Sequence, residues 1–149
     1  MEKHVCRLAF IFMVLLFSCL LSACARGGAD PSTLGTYRFD KDEVPSITSV
    51  VGERTVTGVE SEGKNEIPSR EYTYQSSSVF DDLSQYVQLL QEQGWTAAGY
   101  GYNLEVSPGS AQFVKESIDE GQILVLYITY EDNQYTIKVT KLEAVIGQS

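Results

Sequence analysis

Catalysis at neutral pH usually draws on an imidazole, a thiolate or a pair of carboxylates, and this chain distributes those groups unevenly. Its single histidine, His4, and its three cysteines, Cys6, Cys19 and Cys24, all lie within the first 24 residues. Past that point a histidine base, a cysteine nucleophile and a His- or Cys-ligated metal are excluded. Adjacent carboxylate pairs remain, among them Asp81-Asp82, Asp119-Glu120 and Glu131-Asp132. The first suits the start of a helix and the other two suit solvated turns, so none is assigned a catalytic role. The Glu131-Asp132-Asn133 turn lacks the spaced carboxylates and the glycine of a calcium loop. Gly99-Tyr100-Gly101 lacks the third glycine and the following helix that would cradle a phosphate. No catalytic residue, metal site or cofactor is expected.

Tyrosines are the other group able to act. Tyr72, Tyr74, Tyr100, Tyr102, Tyr127, Tyr130 and Tyr135 supply large rings with a polar tip, which suits recognition surfaces. The same residues are good strand formers, so a structural role covers most of them. Tyr100 and Tyr102, in the glycine-rich GYGYN stretch, are the first place to look for a contact surface.

The 149 residues are 43% hydrophobic and carry a formal charge of −9, as one globular domain with a short appendage would. Twenty acidic residues against eleven basic ones argue against a nucleic-acid partner, since that binding needs Lys and Arg on phosphates.

The appendage is N-terminal. Lys3, His4 and Arg7 precede Leu8–Leu21, an uncharged and largely apolar run. A basic start before a short apolar stretch has the form of a secretory signal peptide, and the run is too short to span a bilayer. At its end, Leu21-Ser22-Ala23-Cys24 resembles the lipobox of bacterial lipoproteins. The resemblance implies cleavage before Cys24, a diacylglycerol on the Cys24 sulfur and fatty acylation, such as palmitate, of the new amino group. Two or three acyl chains anchor stably where one is marginal. With residues 1–23 removed, no free thiol, disulfide or histidine remains, and 9 basic against 19 acidic residues leave a charge of −10. An acidic surface is repelled by anionic headgroups, so the lipid alone would hold the protein to the membrane.

The chain thus divides into a signal peptide (1–23), a lipidated cysteine with a flexible tether (24–36), one domain (37–146) and a short tail (147–149). In the domain, β-branched runs at Ile47–Val51 and Arg54–Val59 flank Gly52-Glu53 and predict an N-terminal hairpin. Ser61–Pro68 reads as a loop and Glu71–Gln75 as a short strand. Val79, Phe80, Leu83, Tyr86, Val87 and Leu90 recur at helical spacing. Ser78 predicts the cap of that helix, Asp81 its capping-box partner, and Asp82 a charge favoured by the helix dipole. Gly94 predicts its left-handed end, with Trp95 folding back. Trp95–Tyr102, Ala111–Ile118, Ile123–Tyr130 and Tyr135–Leu142 then alternate as strands, joined by links too short for crossovers.

The expected fold is α+β: one helix on a curved antiparallel sheet with an additional N-terminal hairpin. Its order resembles that of the cystatins or the TATA-binding protein, a likeness of fold alone. In Ile123–Tyr130, Leu124, Leu126 and Ile128 can face the helix. Val125 and Tyr127 face the other way, covered by the hairpin or left for a partner. The functional expectation is a lipid-anchored extracytoplasmic module, not an enzyme, binding a protein, peptide or glycan through Tyr100 and Tyr102 or through Val125 and Tyr127. Self-association on the membrane is one form this takes. A carboxylate-based hydrolase and a structural envelope subunit are the alternatives.

Overall fold

A computed structural model of the chain describes residues 30–39, 41–62, 67–99 and 101–144. Cys24, the signal peptide, residues 25–29 of the tether, Tyr100 and the tail lie outside the described residues.

Strands β1 (Thr36–Phe39) and β2 (Asp42–Pro45) form a two-stranded antiparallel sheet. A short helix α1 (Thr48–Val51) follows, then β3 (Thr55–Glu62), β4 (Ser69–Gln75) and helix α2 (Val79–Glu92). Strands β5 (Thr96–Ala97), β6 (Gly109–Glu116), β7 (Gln122–Tyr130) and β8 (Gln134–Glu143) complete the chain. The large sheet runs β3-β4-β8-β7-β6-β5, antiparallel throughout. The α+β class stands.

Directly opposed residues in antiparallel strands share a face, so the register assigns the two sides. Tyr72, Tyr74, Phe113, Leu124, Leu126, Ile128, Tyr135 and Ile137 line the inner side, and all are buried. The apolar stripe of α2 joins them in one core, as do Tyr37, Phe39 and Val44 from the small sheet and Ile47 just before α1. Tyr37 stacks on Tyr72 with centroids 4.5 Å apart. Buried phenols are satisfied in pairs: Tyr37 and Tyr74 hydroxyls are 3.0 Å apart, and Tyr86 donates to the Pro45 carbonyl at 2.8 Å. Burial pushes the Tyr74 hydroxyl up to about 12, which keeps it a neutral donor.

Several expectations need correction. The hairpin does not form at Ile47–Val51 and Arg54–Val59: Thr48–Val51 is helical, and β3 pairs with β4 instead. Hydroxyls override β-propensity there. Ser49 Oγ donates to the Ser46 carbonyl at 2.6 Å and Thr48 Oγ1 to the Leu34 carbonyl at 2.6 Å, which favours a tight turn over an extended strand. The hairpin nearer the N-terminus is β1–β2. Residues 61 and 62, expected in a loop, extend β3. Trp95–Tyr102 shortens to the two residues of β5, because Gly99 and Gly101 adopt positive φ (75° and 87°) and turn the chain away.

Helix α2 has the expected extent, but its first turn differs. Ser78 makes no side-chain cap hydrogen bond. Ser76 serves there, accepting from the Ser78 N–H at 2.9 Å and donating to Asp82 at 2.7 Å. Phe80 lies outside the stripe, 48% exposed, and Asp82 is buried in its stead. At the other end Gly94 has φ 83° and the Trp95 N–H returns to the Leu90 carbonyl at 2.9 Å, as its sequence implies.

Candidate binding cleft

The position of β4 decides what meets at the end of the sheet. Gln75 pairs with Gln134, and the Ser76 N–H donates to the Asn133 carbonyl at 3.0 Å. The first turn of α2 therefore stands beside the β7–β8 turn. The loop that replaces the expected fourth strand reaches the same place, because Tyr130 Oη donates to the Asn103 carbonyl at 2.7 Å. Gly109 lies directly across from Tyr130, and a Cβ there would stand 2.7 Å from its Cε2 and closer still to its hydroxyl. Only a glycine leaves room for the ring in this position.

These three segments enclose an open cleft of about 610 Å³. Val79, Phe80, Leu104 and Tyr130 supply its apolar surface, and Asp81, Glu105, Glu131 and Asp132 its acidic one. All four carboxylates are exposed, and among the described residues none forms an ion pair. The α2 N-terminus carries about half a positive charge, which four full negative charges outweigh. The cleft is electronegative with an aromatic wall.

Two other polar clusters are closed and structural. Asp82 accepts from Arg54 Nε at 2.8 Å, Arg54 Nη2 at 2.6 Å, Ser76 Oγ at 2.7 Å and Tyr135 Oη at 3.2 Å. Burial pushes its carboxyl up, but these bonds and the Arg54 charge outweigh that and hold it below the usual range. At the opposite end of the sheet, Lys141 Nζ bridges Asp42 at 2.8 Å and Asp119 at 2.6 Å. Hydrogen bonds from the Lys141 ammonium to Asp119 and Asp42 raise its pKa. Ser117 Oγ and the Ile118 N–H complete the shell of Asp42. Both clusters tie distant segments together and leave no acceptor pointed at a ligand.

Of the sequence candidates, Tyr102 and the Val125–Tyr127 pair lie on opposite sides of the molecule. Tyr102 packs on Phe113, centroids 5.4 Å apart, and accepts from Gln91 at 3.3 Å; it lines a shallower hollow with Val106, Pro108 and Tyr130. Val125 and Tyr127 face the outer side, which Thr96, Ser110 and Thr129 show to be open by their exposure. The expected hairpin does not cover them. Val125 is buried nonetheless, with Val114 and Thr140 opposite it on the flanking strands, while Tyr127 stays 39% exposed and shares a 3.4 Å contact with Gln112.

The cleft carboxylates were visible in the sequence as isolated pairs. Their meeting depends on β4 pairing with β8, which no local pattern signals. Glu105 carried no signal at all. Among the described residues no group of three His, Cys, Asp or Glu side chains is placed to hold a metal ion, and no helix is long and apolar enough to cross a membrane. Compared with known proteins, the chain matches no family model, no curated protein and no solved structure.

Proposed function

We propose that this chain is a bacterial lipoprotein whose α+β domain is a non-catalytic binding module for a protein, peptide or glycan, displayed outside the cytoplasm. The cleft between the α2 start and the β7–β8 turn carries the reading. Its volume of about 610 Å³ is that of a ligand site, and its lining sets Val79, Phe80, Leu104 and Tyr130 among serine and carboxylate side chains. Binding is favoured over hydrolysis by the setting of the carboxylates. All four are open to water, whereas a carboxyl acting as general acid sits shielded from it.

The anchor rests on the apolar run ending in Leu21-Ser22-Ala23-Cys24. Asp30, where the described chain begins, is six residues from Cys24, a stretch that spans about 20 Å at most when fully extended. We read the succession of β4, α2 and the strands β5 to β8 as an order like that of the cystatins or the TATA-binding protein. That likeness carries no function. A structural envelope subunit is the second reading, favoured by the open outer face around Tyr127.

A photo-crosslinking residue at Phe80, compared with one at the exposed Gln88 on the same helix, tests the module in intact envelope. Adducts at Phe80 alone are expected; none at Phe80, or equal adducts at both, overturns the cleft as the binding site. Cys24→Ala tests the anchor and should release the domain or block its processing. An Ala variant that is processed normally and stays on the membrane refutes the lipoprotein reading.

A further inference from the structure

We infer that the cleft takes an arginine- or lysine-bearing peptide segment of a partner protein, an inference that rests on the binding reading above and adds the ligand's chemistry. Charge complementarity identifies the occupant. Asp81, Glu105, Glu131 and Asp132 converge on one hollow from the helix, the Tyr102–Pro108 loop and the β7–β8 turn. Among the described basic residues, Arg38 pairs with Glu43, Arg54 with Asp82, Lys141 with Asp42 and Asp119, Lys41 with Asp119, and Lys138 with Glu62 and Glu71. Among the described residues nothing basic lines the cleft. A simple anion is therefore repelled, despite the helix N-terminus.

The apolar share of the lining separates a peptide from a bare cation. Phe80 is a helix residue at a stripe position that nonetheless turns outward, half exposed, with Leu104 and Tyr130 beside it. An aromatic face flanked by carboxylates receives a guanidinium or ammonium by cation–π contact while its aliphatic stem lies against the apolar wall. The chain's net charge of −9 adds long-range attraction for a basic partner and makes its association rate fall with salt.

The test uses the full chain in phosphatidylcholine nanodiscs, with empty nanodiscs as reference. A fluorescent hexapeptide alternating arginine with leucine is titrated beside its glutamine and glutamate counterparts, followed by anisotropy, with spermine as competitor. The basic peptide should bind at least about tenfold more tightly than the glutamine one, because several exposed charge pairs act together. Asp81→Asn, Glu105→Gln, Glu131→Gln and Asp132→Asn combined should remove that preference, and Phe80→Ser should weaken binding of the basic peptide. All five positions are exposed, so the variants keep the fold. Equal binding of the glutamine peptide, still lost in Phe80→Ser, overturns the cationic ligand and leaves the binding site standing. Spermine displacing the peptide at equal concentration overturns the peptide in favour of charge alone. Binding of no peptide, or binding unaffected by either variant, overturns both the ligand and the site.

Discussion

Asp82→Asn is the substitution that most directly tests how the helix is held to the sheet. The carboxylate is 2% exposed, accepts from four donors, and links β3's approach, the α2 cap region and β8 through Arg54, Ser76 and Tyr135. Removing one partner of a buried pair costs about 3–5 kcal/mol, because the other charge is stranded. Arg54 keeps 26% of its side chain exposed and can turn toward water, which lowers the expectation to about 2–3 kcal/mol. For a domain of this size that is a fall in melting temperature of about 10 °C. Because the folded pKa of Asp82 lies below its unfolded value, its contribution is present above about pH 4 and is lost as pH falls through the folded value. Thermal melts of both proteins from pH 7 down to pH 2 provide the assay. The gap between them should be largest at neutral pH and close at the acid end. A gap below about 1 kcal/mol, or one constant with pH, refutes the claim that the ionised carboxylate organises this junction.

Leu83→Ala and Leu90→Ala should each cost about 2–5 kcal/mol in chemical denaturation, since both side chains are fully buried in the core, while Gln88→Ala and Gln91→Ala should be near neutral. Gly109→Ala should cost about 1–3 kcal/mol by driving a methyl into the Tyr130 ring, and Tyr130→Leu in the same chain should recover part of it. Lys141→Met strands the buried Asp42 and should cost about 2 kcal/mol, softened because Ser117 and the Ile118 N–H still bond the carboxylate. Guanidinium unfolding at pH 7 measures each of the three.

What a sequence shows well is polarity repeated at a fixed period, and what it hides is a partner far along the chain. Leu83, Tyr86, Val87 and Leu90 declare helix α2 because nothing distant competes for them. The same period assigns Phe80 inward and Asp82 outward, and both are reversed, because Arg54, remote in the chain, makes a buried carboxylate affordable. Strands β6 to β8 are legible from alternation, and β5 is cut short only where Gly99 and Gly101 turn the backbone. At Thr48–Val51 branched side chains argue for a strand, but the hydroxyls of Ser46, Thr48 and Ser49 find carbonyl partners in a turn. The cleft is the extreme case: each of its walls is legible alone, and its existence is not. Ser76 meets Asn133 only because β4 pairs with β8 across the intervening helix and meander, a long-range choice made by Tyr72, Tyr74, Tyr135 and Ile137 packing on one face. A feature composed of three segments so related belongs to the topology, and it is reached from the sequence only once the pairing of those two strands is known.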